Sequence, residues 1–193
     1  MSSYLLNAET KTLATLLADN SFAKYQNVRG HYRNSYSSHL VGKIGELAAF
    51  IWLRDEGFNP QLNVIDPKAD KLCDIETDIG RVEVKTWKAK HWDDLGRAIT
   101  VSQLASIKKK ADLVLWCVAD DVEAEPTVEI KGWNPVDVLD KNEPLMTGAI
   151  GRQVFNYQIA VDDISSLDLL KQGKDEQGRN IADRHPSHDG GSK

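Results

Sequence analysis

The chain has 193 residues, of which 41% are hydrophobic and 27% are charged, so it has enough apolar material for one sizeable core. Its apolar runs fall short of the roughly 18 residues that a membrane-spanning helix needs, and no basic and hydrophobic segment typical of a secretory signal follows Met1. We therefore expect a cytoplasmic protein with no membrane partner. Cys73 and Cys117 are too few for a disulfide framework, and we expect buried free thiols.

Hydrophobic periodicity divides the chain into alternating helices and strands. Predicted helices cover residues 5–17, 37–56, 102–110, 134–140 and 163–170. Predicted strands cover residues 61–65, 72–77, 80–87, 97–101, 112–119, 127–133 and 155–161. Residues 112–119 are nearly continuously apolar, which is typical of a strand buried on both faces at the centre of a sheet. The alternation predicts an α/β fold.

Spacing also predicts details of two helices. In the first helix the apolar stripe consists of Leu6, Leu13, Leu16 and Leu17. Ser102 is the expected N-cap of the helix that ends at Lys110, because serine side chains accept hydrogen bonds from the first free backbone N–H groups of a helix.

The less regular segments define the expected domain organisation. Residues 19–36 are polar and aromatic and predict either a surface loop or a substrate-facing loop, and residues 142–152 predict a second loop. From residue 171 onward little apolar material remains, so residues 171–193 are predicted to form a disordered tail. We expect residues 1–36 to form a helix and loop that pack on a core of residues 37–170.

The most informative segment is a predicted hairpin that carries two acids and a lysine. Residues 72–77 and 80–87 alternate like half-buried strands and are separated by a short turn. Side chains two apart on a strand share a face, so Glu83 and Lys85 point the same way. In the expected register Asp74 lies beside them. Two carboxylates and an ammonium at one place can hold a divalent metal against a phosphate.

This hairpin resembles the PD-(D/E)XK phosphodiesterase superfamily, which includes many restriction endonucleases and Holliday-junction resolvases. Glu83-Val84-Lys85 matches the acid–X–lysine triplet, Asp74 matches the isolated acid, and Glu46 matches the acid of the preceding helix, within residues 38–119. Cys73 stands where the motif has proline. Rival candidates for the isolated acid are Asp66, Asp70 and Asp78. The resemblance implies a restriction-endonuclease-like core, a central mixed β-sheet flanked by helices.

The resemblance also implies the roles of the site residues. Mg²⁺, or Mn²⁺ in its place, would be held by carboxylates and one backbone carbonyl, because hard cations take oxygen ligands. The implied ligands are Asp74, Glu83, Glu46 and the carbonyl of Val84. Lys85 would stabilise negative charge that develops on the phosphoryl group. With these ligands, Lys85 would complete a catalytic set of Asp74, Glu83, Glu46 and Lys85.

The distribution of charge favours DNA as the substrate although the net charge is −5. Basic residues concentrate in the segments that flank the predicted site, and local positive surface is what phosphate contacts need. The expected DNA-contacting residues are Arg29, Arg33, Lys43, Lys88, Lys90, Arg97, Gln103 and Lys108. The resemblance to a glutamine near the phosphate in some members of the superfamily is the reason for including Gln103.

These features predict a Mg²⁺-dependent DNA endonuclease of the restriction, homing or junction-resolving type. We expect a homodimer, because cleavage of both strands needs two sites. Two alternatives stay open: a catalytically inactive nucleic-acid- or protein-binding module on the same fold, and an unrelated soluble domain. A second triplet, Glu129-Ile130-Lys131, has no comparable acid in a preceding hairpin, so it predicts an ordinary solvated strand face.

Overall fold

The computed structural model describes residues 2–25, 35–63, 72–94, 96–122, 124–148, 151 and 153–175. It contains four α-helices within these ranges: α1 (Ala8–Tyr25), α2 (Tyr36–Asp55), α3 (Val101–Lys110) and α4 (Leu167–Asp175). The first five strands are β1 (Ser2–Leu5), β2 (Gln61–Leu62), β3 (Ile75–Thr77), β4 (Gly80–Lys88) and β5 (Ala98–Thr100). The remaining strands are β6 (Leu113–Asp120), β7 (Thr127–Pro135), β8 (Leu145–Thr147) and β9 (Val154–Gln158).

Six strands form a curled mixed sheet in the order β1-β7-β6-β4-β3-β2, with helices packed against it. Strands β4 and β6 are parallel, and the other neighbours are antiparallel. A smaller antiparallel sheet has the order β5-β9-β8. The predicted α/β class with a mixed sheet and flanking helices is thereby confirmed.

The buried residues form two cores, one on each side of strands β4 and β6. On one side Val82, Val84, Leu113 and Leu115 pack with Ile44 of α2. On the other side the alternate residues of β6 pack with α3 and the small sheet; this second core includes Val114, Trp116, Leu104, Ile107 and Ile99. Because successive residues of a strand point to opposite faces, Glu83 and Lys85 project towards the side of α3.

Several boundaries agree with the predictions. Helix α2 and strands β6 and β7 lie within one or two residues of the expected spans, and every residue of β6 except Asp120 is buried. Gly57, after the end of α2, has φ of +79°, the left-handed conformation in which glycine commonly ends a helix. Cys73 and Cys117 are buried free thiols, as expected.

Other predictions of secondary structure are wrong. Helix α1 runs on to Tyr25 through part of the predicted loop 19–36, and Leu13 and Leu16 are exposed while Ala14 and Ala18 are buried. The short N-terminal strand β1 precedes α1 and pairs with β7. The N-cap of α3 is Thr100 rather than Ser102, because Thr100 forms a reciprocal capping box with Gln103.

The C-terminal region also differs from the predictions. Strand β8 lies within the predicted loop 142–152, and only a 3₁₀ turn at Val136–Val138 forms within the predicted helix 134–140. Helix α4 starts later than expected and continues to Asp175, into the predicted tail. The rest of the tail, 176–193, lies outside the described residues.

Candidate active site

The hairpin places Asp74 just beyond the last register pair of β3 and β4, Ile75 with Val82. Pairing of Ile75 with Val82 fixes the register, and the N–H of Asp74 donates to the carbonyl of Val82 over 3.1 Å. In the described residues strand β3 pairs with β4 only as far as Val82. Beyond that point the backbone N–H of Val84 donates to Oδ2 of Asp74 over 2.8 Å. The Asp74 carboxylate therefore takes the place of a strand partner at the edge of β4.

Glu83 is 4% exposed and contacts two ammonium groups. Nζ of Lys85, two residues along β4, donates to Oε1 of Glu83 over 2.7 Å. Nζ of Lys110, at the end of α3, lies 2.8 Å from Oε2. Burial alone would raise the pKa of Glu83, but the charges of Lys85 and Lys110 outweigh it and hold the pKa below its usual value. Glu83 is therefore a buried, ionised carboxylate.

A close contact between α2 and β4 places Glu46 near β4, although α2 packs on the face of β4 opposite to Glu83 and Lys85. Gly45 packs directly on Thr86: a Cβ at position 45 would lie 2.7 Å from Cβ of Thr86 and nearer still to its hydroxyl. Glu46 follows Gly45 and is 8% exposed. Nζ of Lys43, one turn earlier, donates to both carboxylate oxygens of Glu46, over 2.9 Å and 2.7 Å. Only glycine permits the helix to approach the strand this closely.

The charges of Glu83 and Glu46 both act on Asp74. Burial raises the pKa of Asp74 to about 8, and the charges of Glu83 and Glu46 add to the rise while Lys85 and Lys110 oppose it. For Lys43, burial alone would lower the pKa, but Glu46, Asp74 and Glu83 raise it above its usual value. A group with its pKa near 8 beside an ionised acid can release or take a proton near neutral pH.

The chemistry of these donors fits a hard divalent cation, because all three acids offer carboxylate oxygens. Among the residues that the structure describes, however, no three histidine, cysteine, aspartate or glutamate side chains are gathered as a ready-made metal site. The contacts give the reason: the oxygens of Glu46 and Glu83 face lysine ammonium groups instead of one another. The three acids are therefore suitable ligands for a divalent ion, but the oxygens of Glu46 and Glu83 already contact lysine ammonium groups.

The predicted DNA contacts meet different outcomes. Nζ of Lys88 donates to the hydroxyl of Ser37 over 2.7 Å and so joins the end of β4 to the start of α2. Lys90 is exposed in the 3₁₀ turn that follows β4, and Lys108 forms an ion pair with Asp140. Arg29 and Arg33 lie outside the described residues, as do the rival acids Asp66 and Asp70. The third rival, Asp78, lies in the turn beyond the far end of β3 from Asp74.

Two of the residues predicted to contact DNA form hydrogen bonds within the protein. Arg97 is 6% exposed, and its guanidinium donates to the carbonyls of Ile159, Trp92 and Asp93. In this geometry the guanidinium donors of Arg97 point into the protein, and its contact with DNA stays a prediction. The side-chain oxygen of Gln103 accepts from the N–H of Thr100, so Gln103 contributes to the cap of α3.

Sequence reasoning missed Lys110 as a member of the site. The parallel pairing of Val82 with Leu113 and of Glu83 with Val114 places the start of β6 beside the start of β4. Because α3 ends just before β6, its last residue necessarily lies near Glu83. A lysine at the end of a helix that connects two parallel strands was a usable signal, but it required the parallel register to be known.

Comparison of the chain with family models, curated proteins and solved structures finds no match. In the parts of the chain that the structure describes, no helix is long and apolar enough to cross a membrane.

Proposed function

We propose that the chain is a Mg²⁺-dependent endonuclease that hydrolyses DNA phosphodiester bonds, on a restriction-endonuclease-like form of the α/β fold. The observation that supports this proposal is the contact of Glu83 with Lys85 on β4, beside Asp74, whose carboxylate accepts from the N–H of Val84. The charge of Glu46 also acts on Asp74. Acids of this kind with a lysine beside them provide what phosphoryl transfer requires, namely positions for cations and a positive charge close to the phosphate.

Each residue has a distinct task in this proposal. Asp74, Glu83, Glu46 and the carbonyl of Val84 would hold the divalent ion, which supplies charge neutralisation and lowers the pKa of water. Lys85 leaves Glu83 for the phosphate and stabilises the charge that develops there, while Lys110 keeps Glu83 ionised. Asp74 accepts from the backbone of β4, so its carboxylate is oriented before any ligand arrives.

A second candidate is an inactive nucleic-acid- or protein-binding module on the same fold. The observation that favours it is the pairing of the Glu46 and Glu83 oxygens with lysines, which is also how a purely structural ion-pair cluster is arranged. The two candidates differ in one measurable respect: only the nuclease requires a divalent ion for a chemical change in DNA.

Cleavage of supercoiled plasmid, linear duplex and four-way junction DNA with Mg²⁺ and with EDTA tests the proposal. We expect Mg²⁺-dependent cleavage that falls at least about 100-fold in Asp74→Asn and Lys85→Met, since removal of one group that stabilises the transition state costs that much in characterised enzymes. The matched controls are Glu129→Gln and Lys131→Met, which alter the second triplet, on β7, and should leave the rate unchanged. Cleavage that persists in Asp74→Asn and Lys85→Met contradicts the proposed site.

The form of the products assigns the type of enzyme. Preferential cutting of junctions indicates resolution, defined fragments from linear duplex indicate restriction or homing, and DNA binding without cleavage indicates the inactive module. The homodimer stays a prediction, which sedimentation equilibrium checks: a mass near twice 21.5 kDa is expected.

A further inference from the structure

The carboxylates of Glu46 and Glu83 contact different numbers of lysines. One ammonium, from Lys43, holds both oxygens of Glu46, at 2.9 Å and 2.7 Å. Two ammonium groups, from Lys85 and Lys110, hold one oxygen each of Glu83. With Asp74 ionised, the group contains three carboxylates and three ammonium groups, so its formal charge is zero. A divalent ion that entered without displacing a lysine would raise this charge to +2 in a partly buried place, which is unfavourable.

Departure of Lys43 disturbs the fold less than departure of Lys110. Lys43 lies on the same helix as Glu46, three residues away, so their ion pair joins no separate elements. By contrast, Lys110 joins the end of α3 to β4. Breaking the Lys43–Glu46 pair therefore separates no two elements of the fold.

Building on the function proposed above, we propose that Lys43 is a resident counter-cation that a divalent ion must displace from Glu46, and that the displaced ammonium binds an incoming DNA phosphate. Metal and DNA then bind cooperatively, because the phosphate takes over the lysine that the metal releases. By linkage, DNA increases the affinity for the metal by the same factor as the metal increases the affinity for DNA. Without DNA the metal competes with a local ammonium and binds weakly.

Titration with Mn²⁺ alone, followed by the electron paramagnetic resonance signal of the free ion, tests the first half. Lys43→Met removes the competing charge and keeps most of the apolar stem, and we expect it to bind Mn²⁺ about tenfold more tightly than the wild type, the effect of one well-placed charge. Lys43→Arg keeps the charge and should bind like the wild type, as should the control Lys131→Met. Thermal melts establish that each variant is folded, and Lys43→Gln is the second charge-removing variant.

Calorimetric titration with Ca²⁺, which replaces Mg²⁺ to avoid cleavage, tests the second half in the presence and absence of a DNA duplex. In the wild type DNA should tighten Ca²⁺ binding, and in Lys43→Met this coupling should fall towards none. Equal Mn²⁺ affinity in the wild type and Lys43→Met, or undiminished coupling in Lys43→Met, overturns the role of Lys43 while the nuclease proposal stands. Absence of metal binding in every variant, with and without DNA, together with absence of cleavage, overturns both.

Discussion

Asp74 should destabilise the metal-free fold whenever it is ionised. Burial, with the charges of Glu83 and Glu46, raises the pKa of Asp74 from 3.8 to about 8. A carboxyl group whose pKa is higher in the folded state than in the unfolded state favours folding only while it is protonated. Its contribution to stability is therefore present below about pH 4 and is lost as the pH rises to about 8. The substitution Asp74→Asn removes this loss and keeps a side-chain oxygen that can accept from Val84.

The size of the effect follows from the rise in pKa. A rise of about four pKa units corresponds to a ceiling of about 6 kcal/mol in the free energy of unfolding. The gain in Asp74→Asn is smaller than this ceiling, because relaxation of the fold and entry of water reduce the effective cost of a buried charge. We expect Asp74→Asn to exceed the wild type by about 3 kcal/mol at pH 9 and to match it near pH 4.

Urea unfolding in EDTA at several pH values between 4 and 9 measures this difference. The matched control is Glu76→Gln, which neutralises an exposed acid on the same strand of the hairpin and should follow the wild type across the range. Parallel curves for the wild type and Asp74→Asn would refute the reasoning, since they would mean that Asp74 ionises as easily in the folded protein as in the unfolded chain. The proposed metal should reverse the order: Mg²⁺ should stabilise the wild type and leave Asp74→Asn unchanged.

Two further substitutions test how the site is supported. Gly45→Ala should destabilise the fold by about 1–3 kcal/mol in urea unfolding, because the added Cβ overlaps Thr86. The control Gly42→Ala, on the same helix, should stabilise the fold by up to about 1 kcal/mol. Equal effects of the two substitutions would contradict the contact between α2 and β4. Arg97→Ala should lower the free energy of unfolding by about 2–4 kcal/mol, because buried carbonyls lose their donors. The control Lys90→Ala, at an exposed position, should change it by less than about 0.5 kcal/mol. A loss of DNA affinity without a loss of stability in Arg97→Ala would indicate that Arg97 contacts DNA.

The parts of the fold that sequence predicted are those with a strong local signal. Strand β6 is apolar at nearly every position because both of its faces are buried, and α2 has an apolar stripe followed by Gly57. The parts that were missed depend on distant partners. Strand β1 has only four residues, and it exists because it pairs with β7 more than one hundred residues later. No local pattern carries that information.

The same distinction between local signals and distant partners applies to the candidate site. Asp74, Glu83 and Lys85 were predicted to lie together from the spacing of a hairpin, and Glu46 was added because of the resemblance to the PD-(D/E)XK superfamily. The cations that hold these acids could not all be located. Lys43 was predicted as a DNA contact, since a lysine three residues before an acid on a helix gives no sign that it will bind both oxygens of that acid. Lys110 becomes adjacent to Glu83 only through the parallel register of β4 and β6.

The two acid–X–lysine triplets show what distinguishes a candidate site from a strand surface. In both triplets the lysine lies 2.7 Å from the acid, so the local geometry is the same. The neighbours differ: Asp74 accepts from the N–H of Val84, the residue after Glu83, whereas Glu129 lies between Ser3 and Val118. The side chain of Glu83 is 6% exposed and that of Glu129 is 27% exposed. Ionised acids that lie close together in a buried place raise the free-energy cost of one another's ionisation, and a bound divalent cation offsets that cost. Binding of a metal at Glu83 therefore depends on the acids around it, and substitution of Asp74 should weaken metal binding more than any change in the triplet on β7.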